Sequence, residues 1–270
     1  MCGALLLTFT FTLCGASSAR AQRPSDYQLR LDPVADGATL VLSGTLALSL
    51  HVLIVRDTLR PSAPGDVSEL PHLDRRRGRS NRAARGPVSG VATGALLAFA
   101  LADAIAVGVL DRGEPWWTNL LLYVESATMI VALTNLTKLA VRRPRPSAYI
   151  ALRTDGVAPT DTDSSLSFFS GHAALAASLS ATAIYLAWQR GAPRPTRWAL
   201  ILGGAALTLT VAIRRVTEGE HFPTDVIAGT LVGACVGVLV PHLHRGQHRA
   251  VRVLPSAGRH HAALVASGVW

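Results

Sequence analysis

Six apolar stretches, residues 38–55, 88–110, 119–141, 172–188, 198–213 and 226–240, dominate the chain. Several hold only 15 to 18 residues, at the short end of the roughly 17–25 that a transmembrane helix needs, but flanking residues extend each helix past the hydrocarbon. Backbone amides inside a bilayer find no water and must bond within their own segment, which leaves helices as the natural form for such stretches. With 49% hydrophobic and 16% charged residues among 270, the composition excludes an ordinary soluble domain. The expectation is an all-α integral membrane bundle of about six transmembrane helices. Small residues at Gly229, Gly233 and Gly237 share one helix face and suit close helix contact, or simply fill a membrane helix.

The remaining residues divide the chain. Residues 1–21 read as a signal peptide cleaved before Gln22, although the lack of Lys or Arg near Met1 leaves an uncleaved anchor open. Residues 22–87 hold the first apolar span and an Arg- and Pro-rich loop, read as a surface connection with a short amphipathic piece. Residues 88–241 form the helical core, and 242–270 a polar tail. The tail's His242, His244, His248, His260 and His261 are irregularly spaced without carboxylates, which reads as a mobile tail rather than a metal site. Cleavage of the signal would leave Cys235 alone, so no intramolecular disulfide is expected. The net charge of +9 comes almost wholly from arginine, 25 of 26 basic residues. No aromatic-interleaved basic module accompanies it, so anionic lipid head groups are the expected partner and nucleic acid is not.

Three polar clusters sit where apolar segments end. Lys138, the only lysine, closes the third segment and Arg145-Pro146 follows; Ser170-Gly171-His172 opens the fourth; Arg215, His221 and Asp225 join the fifth to the sixth. The loops carrying them are two spans apart, which returns all three to one membrane face. Each cluster has an ordinary reading: a basic flank snorkelling to head groups, a serine N-cap, a capping His and Asp. Together they fit a phosphate site. Lysine and arginine neutralise oxyanions, a helix N-terminus opened by glycine offers amides, and two histidines with a carboxylate supply nucleophile and acid. Glu125 and Asp103, inside apparent spans, read as buried hydrogen-bonding groups.

These motifs, in this order and at these span spacings over about residues 88–241, resemble the type 2 phosphatidic acid phosphatase superfamily, which includes bacterial acid phosphatases and vanadium haloperoxidases. The resemblance implies that Lys138, Arg145, Ser170, Gly171 and Arg215 bind the substrate phosphate. It implies that His221 is the nucleophile forming a phosphohistidine, Asp225 its orienting partner and His172 the general acid, with no metal and no cofactor. Two positions depart from the family pattern: Phe169 stands where proline usually precedes the Ser-Gly-His, and Arg214 where serine often precedes the arginine. Phe169 could alter the turn or face an acyl chain, and Arg214 could contact a second anionic group.

The expected activity is a metal-independent phosphatase acting on a lipid phosphate or diphosphate end group, such as an isoprenyl diphosphate, phosphatidate, phosphatidylglycerophosphate or a lipid A phosphate. A vanadate-dependent haloperoxidase and a non-catalytic phospholipid-binding or transport module are the alternatives. A multi-pass protein of a bacterial-type inner membrane is expected, with the active site at one membrane face. A cleaved signal followed by three spans would put that face in the cytoplasm, whereas analogy favours the periplasmic side, which is the expectation adopted.

Overall fold

The computed structural model describes residues 29–79 and 116–245, the backbone of 252–258 and 261–267, and the single positions Gly94, Ala98 and Asp103. The expected signal peptide, and the expected span at 88–110 apart from those three positions, lie outside the described residues.

Helix α1 (Pro33–Val55) starts where the Asp32 carboxylate accepts from the amides of Val34 and Ala35, with proline at the first helical position. After a short 3₁₀ turn at Val67–Glu69 come α2 (His72–Gly78) and the long α3 (Trp116–Val141). Helix α4 (Pro146–Asp155) lies across the end of the bundle, and α5 (Gly171–Gln189), α6 (Arg194–Thr217) and α7 (Pro223–Leu243) complete it. Four of these, Pro33–Val55, Trp117–Val141, Arg194–Thr217 and Pro223–Leu243, are long and apolar enough to cross a bilayer. Helix α5 is richer in alanine and serine and sits in the middle, packed against α3, α6 and α7. The described residues therefore establish four candidate spans rather than the expected six.

Exposed apolar side chains such as Val41, Leu42 and Leu48 on α1, Leu202 and Leu209 on α6 and Leu231 on α7 cover the outside, as a surface solvated by lipid requires. Inside, helices are joined by polar contacts: Asn135 donates to the Ala47 carbonyl (3.1 Å), Ser43 to Thr128 (2.9 Å), and Thr182 to the Gly237 carbonyl (3.1 Å). These pairings run α1 and α3 parallel, so the end of α1 and the end of α3 share one face.

The described part of the expected polar loop at 56–87, residues 56–79, is tied down more closely than a surface connection. Asp74 of α2 is fully buried, and Leu70 packs with Tyr149 and Phe222. At the other extreme, α7 continues through His242 to Leu243. The tail read as mobile instead forms an antiparallel hairpin, β1 (Arg252–Gly258) against β2 (His261–Ser267), from Arg252 opposite Ser267 to Gly258 opposite His261.

The Gly229/Gly233/Gly237 face of α7 lies against the α5 backbone. A Cβ on Gly233 would stand 2.0 Å from the Ala174 carbonyl oxygen, and one on Gly237 would stand 2.1 Å from that of Ser178. Backbone cannot move aside like a side-chain tip, so these positions accept no side chain without separating the helices. Gly233→Val is expected to cost about 1–3 kcal/mol, read as a lower thermal unfolding midpoint in detergent, through the displaced α5 and α7 termini.

Candidate active site

Four helix termini meet at one end of the bundle: the end of α3 with Lys138, the starts of α5 and α7, and the end of α6 with Arg215. Backbone hydrogen bonds stitch the intervening loops together. Ser170 N donates to the Asp225 carbonyl (3.1 Å), Ser167 N to that of Arg143 (2.9 Å), Arg145 N to that of Ser164 (2.8 Å) and Ser147 N to that of Gly219 (2.9 Å). The three clusters read from the sequence thus share one face.

His221 is wholly buried in the link between α6 and α7. Its Nδ1 lies 2.7 Å from the Ser167 carbonyl oxygen, which can only accept, so Nδ1 carries the proton. Nε2 is buried and has no hydrogen-bond partner among the described residues. The expected direct partner, Asp225, is 3.8 Å from Nδ1, beyond hydrogen-bond reach. Asp225 instead accepts from the Phe222 amide (2.8 Å), from the Ser167 hydroxyl and from Arg143. The carboxylate holds the residue whose carbonyl orients the imidazole and sets a negative charge behind the ring.

Arg143 continues this network outward. It pairs with the buried Asp74 of α2 (2.7 Å) while its guanidinium lies over the Phe222 ring at 4.4 Å. Asp74 also accepts from the Thr224 amide (3.1 Å) and hydroxyl (2.6 Å). The first turn of α7 is therefore fixed from the 56–87 loop. Asp74, Arg143, Ser167 and Thr224 were not singled out by sequence; only the arginine run offered a signal for Arg143.

Arg145 donates to Asp163 through Nη2 (2.6 Å) and through Nε to that residue's carbonyl (2.8 Å), and its Nη1 pairs with Glu220. Arg215 reaches the same Glu220 oxygen at 3.6 Å and Glu218 at 3.5 Å. One carboxylate thus lies between the two arginines expected to bind phosphate. Lys138 makes no hydrogen bond or ion pair among the described residues, yet Lys138, Arg145 and Arg215 all bear electrostatically on both His172 and His221.

At the start of α5 the Ser170 hydroxyl does not cap the helix; its oxygen is buried and unpartnered among the described residues. Gly171 follows, with room for no more than a tight contact to Thr134, since a Cβ would meet its Cγ2 at 3.0 Å. His172 is half-buried one residue on. Of the two departures from the family pattern, Phe169 is buried in the bundle core rather than facing an acyl chain, and Arg214 pairs with Glu218 at 3.3 Å.

Membrane helices that close on two histidines, three cations and an unpartnered hydroxyl define a membrane-embedded phosphatase. The chain belongs to the PAP2 superfamily, whose family model matches residues 119–249. It is 34% identical over 154 residues to the decaprenylphosphoryl-5-phosphoribose phosphatase of Mycobacterium tuberculosis, covering 57% of this chain and 74% of that protein. The Mycolicibacterium smegmatis protein of the same name is 36% identical over 130 residues, 48% of this chain and 61% of the relative. A crystal structure of a transmembrane PAP2 type phosphatidylglycerolphosphate phosphatase from Bacillus subtilis aligns over 78% of this chain and 94% of its own, with a TM-score of 0.46 and 22% identity.

Burial pushes the His221 imidazole down to about 3; the Asp225 carboxylate opposes this, and the charges of Arg145, Lys138 and Arg215 add to it. The folded ring therefore stays neutral while an unfolded one protonates near 6.5, so the unfolded state binds the extra proton and stability falls as pH drops below that value. For this one group the loss between pH 7 and 5 is about 2 kcal/mol. His221→Gln is expected to flatten the acid-side fall of the unfolding midpoint, measured in detergent across that range.

Proposed function

We propose that this protein removes the terminal phosphate of a lipid-linked phosphate through a phosphohistidine on His221, without a metal at the reacting centre. The observation that carries the reading is the buried, protonless and unpartnered Nε2 of His221, on whose imidazole the charges of Lys138, Arg145 and Arg215 all bear. A neutral imidazole with its lone pair free is a competent nucleophile, and fixed cations stabilise the charge that grows on the phosphoryl oxygens.

In this mechanism Lys138, Arg145 and Arg215, with the Ser170 hydroxyl and Gly171 amide, hold the phosphate oxygens. Nε2 attacks phosphorus, the bond from phosphorus to the lipid-side oxygen breaks, and His172 gives that oxygen its proton. Water then attacks the phosphohistidine, His172 takes the water's proton, and phosphate leaves with His221 restored. Asp225 acts through Ser167 and through its charge, keeping Nδ1 protonated and Nε2 available. The names of the mycobacterial relatives make a polyprenylphosphoryl pentose 5-phosphate the first substrate to test, beside phosphatidate, phosphatidylglycerophosphate, isoprenyl diphosphates and a lipid A phosphate.

The test is phosphate release by the purified protein in detergent from that panel, with and without EDTA, beside His221→Ala and His172→Ala. Turnover by the wild type that EDTA leaves within about twofold, and that His221→Ala lowers by at least about 10³-fold, supports the reading. His172→Ala should slow release of poor leaving groups most and allow an acid-labile phosphoprotein to accumulate. Lipid bound without turnover by folded wild-type protein would overturn it.

We further propose that the site faces the outside of the cell. Helix α7 starts at the site and ends at the opposite face, so an outward-facing site puts the tail after Leu243 in the cytoplasm; the arginines of residues 56–79 lie on the site's own face, so charge does not decide the orientation and analogy with membrane lipid phosphatases carries it. Green fluorescent protein fused after Trp270 is expected to fluoresce; a dark fusion with an active alkaline phosphatase counterpart would reverse the orientation.

A further inference from the structure

At the end of the bundle away from the active site, three helices each contribute one metal-ligating side chain to a single point. Asp36 comes from the first turn of α1, Glu125 from α3, and His244 follows the last residue of α7. One oxygen or nitrogen from each lies within 4.8 Å of the other two. His244 Nε2 is 3.1 Å from Asp36 Oδ1 and 3.3 Å from Glu125 Oε2. Neighbouring ligands of a tetrahedral ion with bonds of 2.0–2.1 Å stand about 3.3 Å apart.

The hydrogen bonds fix what these atoms carry. His244 Nδ1 lies 2.8 Å from the Val240 carbonyl, an acceptor only, so Nδ1 is protonated. In the neutral ring Nε2 then turns a lone pair toward two carboxylate oxygens. Asp36 uses its other oxygen to accept the Asp32 amide at 2.9 Å, leaving Oδ1 for the cluster. Glu125 is 1% exposed, and neither of its oxygens has a hydrogen-bond partner among the described residues. Three electron-pair donors facing one another in a buried place call for a metal ion or added protons between them. An imidazolium alone leaves two carboxylates against one cation. A divalent ion with a neutral imidazole balances the charge, and a backbone carbonyl on the far ring nitrogen is the outer contact that metal-bound histidines usually make.

We propose that Asp36, Glu125 and His244 bind one divalent metal ion, zinc foremost among those that suit an imidazole with two carboxylates. Such an ion clips α1 to the rest of the bundle. Among the described residues the apolar stretch of α1 is only 6% buried, the least of the four candidate spans, and few contacts besides those with α3 secure it. The tail histidines read from the sequence lacked carboxylates beside them; the fold brings two from α1 and α3. The site is structural and separate from the phosphatase chemistry at the other face.

The experiment uses full-length protein with its affinity tag removed, stripped with chelator and dialysed, then titrated with Zn²⁺ and separately with Mn²⁺. Calorimetry and elemental analysis give affinity and stoichiometry, and thermal unfolding in detergent gives stability. One zinc per chain is expected, with the unfolding midpoint raised by several degrees. Glu125→Gln, close in shape to the wild type and retaining every tail histidine, should weaken zinc at least tenfold, as should His244→Ala. The Co²⁺-substituted protein should show visible absorption that Glu125→Gln loses, a readout that does not depend on stability. His221→Gln should bind zinc normally, and stripped protein should still release phosphate below its unfolding temperature. No zinc bound, or zinc bound equally by Glu125→Gln, would overturn the site and leave a proton-sharing cluster in its place.

Discussion

The contact on which the active site depends is the near-touching backbones of α5 and α7. Helices in lipid gain no hydrophobic drive from meeting one another, so their association rests on close packing and internal polar contacts. Glycines at 229, 233 and 237 permit an approach that any side chain would block by occupying the carbonyls of Ser170, Ala174 and Ser178. That approach places the first residues of α5 beside the first residues of α7. Ser170 and His172 arrive next to His221 and Asp225 because the helices carrying them cannot be further apart.

A second layer holds His221, the proposed nucleophile, in place. Asp225 bonds the Phe222 amide, the Ser167 hydroxyl and Arg143, and Arg143 reaches Asp74 in the loop after α1. Each of these charges is buried or nearly so, and each has a partner, as buried charges must. His221 stands inside this frame with one nitrogen committed to a backbone carbonyl and the other free. The carboxylate's part is to shape the surroundings of the imidazole rather than to grip it.

Much of this was legible in the sequence, and the reason is chemical. Lys138, Arg145, Ser170, Gly171, His172, Arg215, His221 and Asp225 are polar residues at the ends of apolar runs, where their cost makes them conspicuous, and the spans between them dictate a common face. Pro223 opens α7, where its ring suits a first helical turn. Less was legible where partners are remote. Asp74 and Thr224 are 150 residues apart, and nothing local in an Arg- and Pro-rich loop announces a buried carboxylate. Ser167 orients His221 through a carbonyl that any residue possesses, and its hydroxyl meets a carboxylate 58 residues away, so nothing near it in the sequence signalled its part. The tail histidines lacked nearby acids in the sequence, yet His244 meets two that lie 208 and 119 residues away in the chain.

Glu220 has an implication for the cycle. Its carboxylate sits between Arg145 and Arg215, so the cationic hollow is already occupied by an anion that cannot diffuse away. In the proposed mechanism an incoming phosphate would exchange with this tethered carboxylate instead of filling bare positive charge. On that mechanism the same carboxylate would pair again with the two arginines as inorganic phosphate departs. Cations strong enough to steady a transition state would otherwise hold the product; a built-in rival would turn release into a swap, and it already offsets part of the positive charge of the resting site.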